Sequence, residues 1–302
     1  MKRSLAVVGL TLISTSVLAG STAGIYDLQY LPAAGTVYGE SSYAVNDTSI
    51  RTDGVDSKIN SNTFTQTIGY SVTERILLTA SANYLLDEST SVERNKTGSD
   101  DGLSDPTIGA RIRLMDQADS GLNFDILPSW TIETGDAEEG SGDKDGNNYS
   151  GGHTYGVNLN LGKKEKSHQW MVFLNSAMLG ETESEDVTTK DKTKTDSTYN
   201  LTLGAQYLCN FNETTYLSGF FSAARLGELE SKVEGDKTTT DARTSLNIGA
   251  EYGFTPTPNV LIAFALTAGK MVEYDVEPEG ADKNTVEKER SASGILRARY
   301  QF

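Results

Sequence analysis

From about residue 35 to its end the chain alternates apolar and polar side chains with a period of two and shows little helical periodicity, the pattern of strands with two different faces. Four rows are clearest. Ile108, Ala110, Ile112 and Leu114 alternate with Thr107, Gly109, Arg111 and Arg113. Leu122, Phe124, Ile126, Pro128, Trp130 and Ile132 alternate with Asn123, Asp125, Ser129, Thr131 and Glu133. Tyr199 to Tyr207 and Leu246 to Phe254 repeat the pattern. Less regular segments fill the gaps at about 35–46, 57–72, 75–86, 151–162, 168–180, 214–227 and 259–272. The last, 291–302, sets Leu296, Ala298, Tyr300 and Phe302 against Arg297, Arg299 and Gln301. The total is twelve strands.

The connections alternate in length. Short ones fall at Thr73-Glu74, Asp116–Ser120, Gly162–Ser167, Asn210–Glu213 and Thr255–Pro258. Long ones occupy roughly 46–57, 87–103, 134–150, 180–197, 227–241 and 273–291. An even number of strands, with short turns on one rim and long loops on the other, is the plan of a bacterial outer-membrane barrel. A secreted β-sandwich alternates too. Three features favour the barrel. The chain ends on Tyr300-Gln301-Phe302, which resembles the terminal signal that the barrel assembly machinery reads in outer-membrane proteins. Aromatics recur near strand ends (Tyr70, Trp170, Tyr207, Tyr216, Tyr252 and Phe254 by the short turns, Tyr84, Trp130 and Tyr199 by the long loops), as interface belts require. The third is the placement of charge. The expected fold is therefore all-β: one antiparallel up-and-down transmembrane barrel of about twelve strands.

Composition changes the picture in two ways. The 302 residues carry a net charge of −16, from 26 basic and 42 acidic side chains, and only 37% are hydrophobic. A nucleic-acid partner is disfavoured, because phosphate binding needs a basic footprint. A disulfide scaffold is excluded by the single cysteine, Cys209. Then the charge proves to be local: 31 of the 42 acids but 12 of the 26 bases lie in the six long connections, leaving these at −19 and the remainder near neutral. The low hydrophobic fraction follows if only alternate strand residues meet lipid.

Met1-Lys2-Arg3, the apolar run Leu5 to Leu18 and small residues up to Ala19 or Ala23 form a secretory signal, expected to be cleaved after one of those alanines. Residues 1–23 are then the signal and 24–302 the barrel, destined for the outer membrane of a Gram-negative bacterium. About fifteen residues separate the signal from the first strand, which leaves no N-terminal domain to act as a plug.

The few strand charges obey parity. Arg75, Arg111, Arg113, Asp125, Glu251, Arg297 and Arg299 oppose their strands' apolar rows. A charge facing lipid at mid-depth costs about 2–4 kcal/mol, so these side chains are expected to line the lumen, as a salt-bridge network, a selectivity lining or both. Arg225 is ambiguous, because Tyr216/Phe220 and Leu217/Phe221 compete for the outer face. Twelve strands spaced ~4.8 Å and tilted ~40° give a backbone diameter of roughly 24 Å. Inward side chains reduce it to a bore of at most about 10–14 Å.

Catalytic chemistry is not marked. The two histidines, His153 and His168, lack the His-x-Ser strand spacing of barrel phospholipases; two residues after His153 stands Tyr155. Asp143-Lys144-Asp145-Gly146-Asn147 resembles half of a calcium loop, with Asp143, Asp145 and Asn147 as its weak candidate ligands, but lacks the terminal bidentate Glu. A solvated acidic loop is the expectation, with no metal and no cofactor.

The run Gly102-Leu103-Ser104-Asp105 entering the 107–114 strand, with Thr134-Gly135-Asp136 after the next strand and Ser150-Gly151-Gly152 before the third, carries a resemblance. It is similar to the outer-membrane transporters named for the meta pathway of phenol degradation, which have "G-L-G-D" and "P-T-G-D" at these places. Ser104 replaces the second Gly and Glu133 the Pro. The resemblance implies a barrel that passes small compounds, aromatic or hydrophobic ones among them. The expected function is passive uptake through a narrow charged lumen by a monomer. Its partners are outer-membrane lipid, lipopolysaccharide, the assembly machinery and a small solute. The alternative is a non-conducting surface barrel whose acidic loops bind cations, lipopolysaccharide or a partner.

Overall fold

The computed structural model describes residues 28–29, 31–92, 95–140, 145–233, 236–280 and 282–302, with 95–99 described by backbone alone. The predicted signal peptide lies outside the described residues. Twelve long strands form the barrel. They are β1 (Val37–Thr52), β2 (Val55–Thr73), β3 (Ile76–Val92), β4 (Thr107–Met115), β5 (Asn123–Thr131) and β6 (Thr154–Lys164). The second half holds β7 (His168–Leu179), β8 (Thr198–Asn210), β9 (Thr215–Leu226), β10 (Arg243–Thr257), β11 (Val260–Met271) and β12 (Asn284–Gln301). Each pairs antiparallel with its sequence neighbours, and β12 pairs with β1 from Tyr38↔Gln301 to Thr52↔Val286. The cylinder is therefore closed and has no free edge. Pairing lapses between Gly109↔Ser129 and Ile112↔Ile126, beside Pro128, which has no N–H to give.

The usual inside and outside of a protein are exchanged. Ile248 is 62% exposed, and Ile68, Leu203, Leu266 and Leu296 also stand on the outer face. Polar and charged residues fill the inside. Burial of alternate residues settles the phase of β9: Tyr216 and Phe220 point inward, while Leu217 and Phe221 face out. Tyr216 is thus not part of the aromatic belt. Arg225 lies exposed on the outer face at the long-loop end, 3.4 Å from the Thr244 hydroxyl. Inward glycines make room for rings. A Cβ on Gly69 would meet the Tyr38 ring at 1.9 Å, and one on Gly204 the Phe173 ring at 2.2 Å.

The short turns stand where the sequence places them, one of them holding a single helical turn, α1 (Gln117–Ser120). The long connections differ from expectation. They are largely strands. β1 and β2 meet at Asp53-Gly54, both at positive φ, a two-residue hairpin in place of a loop over 46–57. Eight shorter strands continue the wall above the barrel: Asn95–Leu103, Ala137–Glu139, Asp145–Gly146, Thr182–Asp186, Lys192–Thr195, Leu229–Val233, Asp236–Thr240 and Tyr274–Pro278. Lateral pairings such as Ser184↔Ala137, Ser99↔Asp145, Thr193↔Val233 and Thr238↔Pro278 join neighbouring hairpins into a crown. Most crown residues are polar and at least partly exposed, so its sequence carries little apolar alternation to read.

Candidate functional site: the lumen

The inward charges gather into a floor near the short-turn rim. Cross-strand register places Arg111 and Arg113 on β4 beside Asp125 on β5. Arg111 Nε donates to Asp125 Oδ2 and Arg113 Nε to Asp125 Oδ1, each at 2.9 Å. Asp125 has no solvent-accessible surface. A second group joins β1, β9, β10 and β12. Arg297 pairs with Glu251, Tyr216 donates its hydroxyl to the other Glu251 oxygen at 2.6 Å, and Arg299 Nε reaches Glu40 Oε2 at 2.7 Å. Arg297 also stands 3.9 Å from Glu40, so one carboxylate serves two guanidiniums.

The N-terminal segment enters this floor. Leu28, 1% exposed, packs among Met171, Phe173, Leu208, Tyr216 and Leu261, which come from four different strands. Its N–H donates to Gln169 Oε1 at 2.8 Å. Arg113 donates to the Gln29 carbonyl, and Leu31 packs on Tyr38 and Leu77. The expectation of no N-terminal plug domain left side chains and short segments open as obstructions, and Leu28, Gln29 and Leu31 narrow the floor beside the paired arginines.

Above the floor, up to the level of Arg243 and Glu289, the inward wall mixes polar side chains with buried apolar ones such as Leu85, Ala265 and Ile295. Hydroxyls and amides face inward in pairs: Thr65 with Asn83 at 2.8 Å, Thr107 with Thr131 at 2.7 Å, Thr267 with Ser293 at 2.5 Å. At the upper end the Arg243 guanidinium sits 5.2 Å over the Tyr274 ring, whose hydroxyl donates to Glu289 at 2.9 Å. Burial, with the Glu289 charge, pushes the Tyr274 hydroxyl up to about 12.

A third cluster ties the long-loop rim together. Asp105 Oδ1 accepts the Thr134 N–H at 2.7 Å and the Thr134 hydroxyl at 2.8 Å. Its Oδ2 accepts the Ser150 N–H at 2.8 Å and the Ser150 hydroxyl at 2.6 Å. Gly102 has φ +113, a conformation open to glycine, and a Cβ on Gly135 would strike the Tyr149 ring at 2.7 Å. Three separate sequence runs therefore form one clamp. The family model described as "Putative MetA-pathway of phenol degradation" matches residues 33–277. The chain belongs to this family.

In this member of the phenol-degradation family the motif residues do visible work. Asp105, Thr134 and Ser150 make the clamp, and Ser104 adds a hydrogen bond from the Asn83 N–H at 3.2 Å. Leu103 is exposed on the outer face beside Tyr84, and Asp136 is exposed with its carbonyl held by Asn147. Burial pushes the Asp105 carboxyl up, but the four donors from Ser150 and Thr134 outweigh it and hold it below the ordinary aspartate range. Stability from this clamp is therefore complete above the unfolded aspartate value of about 4 and fades as pH falls through the lower folded value. Asp105→Ala should open the 134–150 segment by about 3 kcal/mol, the order expected when a charged acceptor is removed from several donors. Amide exchange in that segment at pH 7 checks it; unchanged protection would remove the clamp from the account.

No curated protein matches the sequence. Among solved structures, the COG4313 outer membrane channel from Pseudomonas putida F1 superposes at TM-score 0.62 with 14% identity, covering 90% of this chain and 97% of that one. A TodX monoaromatic hydrocarbon channel mutant gives TM-score 0.46 at 8% identity, covering 90% and 91%. The outer membrane protease OmpT from Escherichia coli gives 0.39 at 9%, covering 88% and 97%. At these identities the first likeness establishes the outer-membrane barrel fold.

Six of the seven predicted lumen charges sit in the floor: Arg111, Arg113, Asp125, Glu251, Arg297 and Arg299. Arg75 does not. It lies exposed in the turn before β3 and pairs with Asp119 on the rim at 3.2 Å, because strand parity does not extend into a turn. Glu40 was missed, although two arginines on β12 facing one acid, Glu251, already called for a second acid at that level. Tyr300 packs over Gly39 and edge-on to Phe302, whose N–H is bound by the Val37 carbonyl. His153 Nδ1 accepts the Glu133 N–H at 3.1 Å. His168, the first residue of β7, stands 3.2 Å from Glu165 and 3.5 Å from the Ser167 hydroxyl, and its ring stacks on that of Tyr207. Asp143 lies outside the described residues, Asp145 sits in a crown strand, and the Asn147 side-chain oxygen is taken by the N–H groups of Glu138 and Tyr149.

Proposed function

We propose that this protein is a monomeric outer-membrane channel of a Gram-negative bacterium, exported by its signal peptide, that lets small molecules cross passively. The observation that carries this reading is the lumen itself: a closed wall whose inward face carries polar pairs (Thr65 with Asn83, Thr107 with Thr131, Thr267 with Ser293) above the ionic floor. A barrel needed only as a scaffold has no use for that lining. The acidic crown then marks the extracellular mouth, where its field disfavours anions and draws divalent cations. The family's name points to aromatic or hydrophobic solutes. The wall offers both apolar and hydrogen-bonding side chains to such a solute.

The paired charges and the N-terminal residues packed in the floor favour a second reading, a non-conducting barrel whose crown binds cations or lipopolysaccharide. Liposome swelling separates the two. A channel admits small neutral solutes such as urea and glycerol and excludes those wider than the bore of about 10–14 Å. Swelling indistinguishable from protein-free liposomes for every solute would leave the second reading.

A further inference from the structure

On three strands the outward apolar row ends, toward the crown, on a cation. On β9 the row Leu217, Gly219, Phe221 and Ala223 is followed by Arg225. On β11 Ile262, Phe264, Leu266 and Ala268 are followed by Lys270. On β12, read from the short-turn side, Leu296, Gly294 and Ala292 are followed by Arg290. A transmembrane strand needs about 9–11 residues, and β11 reaches Lys270 over that length, so these cations stand at the boundary of the apolar band. All three are exposed. Register sets Lys270 directly opposite Arg290. Like charges so placed repel unless an anion lies between them. The chain supplies none. Other exposed cations near this level have partners: Lys58 pairs with Asp47 and Arg51 with Glu287. Arg225, Lys270 and Arg290 have no carboxylate within 4.0 Å among the described residues, in a chain of 42 acids and 26 bases.

We propose that Arg225, Lys270 and Arg290 form a docking site on the outer wall for a diphosphorylated glycolipid of the outer leaflet, the lipid A part of lipopolysaccharide. The site is on the wall and not on the crown. It rests on the crown facing outward from the cell and is independent of whether the lumen conducts. Lys270 and Arg290 close on one phosphate from adjacent strands, arginine with a fork of donors and lysine with a point charge. Arg225 lies two strands from β11, about 10 Å across the sheet, and meets the second phosphate. Acyl chains then lie along the exposed side chains below, Leu217, Phe221, Phe264, Leu266 and Leu296. A glycerophospholipid with one phosphate fills only one of the two cationic points, which selects the glycolipid.

Titration of the full chain, in micelles of a neutral detergent, with fluorescently labelled lipid A tests it. Binding should saturate at one lipid per barrel. Lipid A stripped of its phosphates, and phosphatidylglycerol, should each bind at least about tenfold more weakly. Lys270→Gln/Arg290→Gln should weaken lipid A binding by a similar factor, whereas Arg51→Gln, which removes a cation already paired with Glu287, should leave it unchanged. If the double variant fails to fold, the comparison of lipid A with its phosphate-free form on the native chain decides alone. Equal affinity for those two forms overturns the site, as does equal affinity of the native chain and a folded double variant. Phosphatidylglycerol binding as tightly as lipid A, or Arg51→Gln weakening binding as much as the double variant, leaves only a general attraction for anionic lipid and also overturns it. Current plays no part in the readout, so failure here leaves the channel reading standing.

Discussion

Asp125→Asn will weaken the barrel by about 3–5 kcal/mol, the cost of removing one partner from a buried ion pair and leaving the other uncompensated. Asp125 has no exposed surface and binds two guanidiniums, those of Arg111 and Arg113, through both oxygens. Asparagine keeps the shape and one acceptor but loses the charge. Arg111 then loses its buried counter-charge, and Arg113 keeps a carboxylate only in Asp116, 3.8 Å away. Unfolding in urea from lipid vesicles, followed by the gel shift of heat-modifiable barrels, should show the loss. The same variant adds net positive charge beside the path, so the reversal potential in a salt gradient should move toward anions. An unchanged midpoint together with an unchanged reversal potential would show that this pair neither holds the floor nor borders the path.

Deleting residues 28–33 will raise conductance several-fold. Leu28 is wedged among inward side chains of β7, β8, β9 and β11, and Leu31 among Tyr38 and Leu77. The segment precedes β1 and contributes no strand to the wall, so its loss leaves the cylinder's hydrogen bonds intact. The variant should therefore insert and keep its strand content while passing larger solutes. Equal conductance with and without the segment would mean that the paired arginines alone close the floor.

How much of this was legible in the sequence depends on what each residue faces. Strands with lipid on one side and lumen on the other announced themselves, because opposite solvents force opposite chemistries on alternate residues. Rows such as Ile108–Leu114 and Leu246–Phe254 gave both the strand and the inward face, and with them six floor charges. The crown gave no such signal. Lys192–Thr195 and Asp236–Thr240 are wet on both faces, so their pairing is decided by neighbours. One local cue was available and unused: Asp53-Gly54 is a hairpin dipeptide, and it turns a supposed loop into the tip of β1 and β2. In β9 two apolar rows of equal quality competed, and only the closed barrel chose Tyr216 for the inside. The burial of Leu28 could not be read at all. A short aperiodic stretch has no face of its own, and the lumen decides its place.

Conductance of the full chain and of the chain lacking residues 28–33, reconstituted side by side in planar bilayers, tests the central claim most directly. The account predicts small, discrete current steps for the full chain and steps several times larger for the shortened one, with cations favoured by the acidic mouth. Silence from both proteins, in bilayers where each has demonstrably inserted and folded, would contradict it.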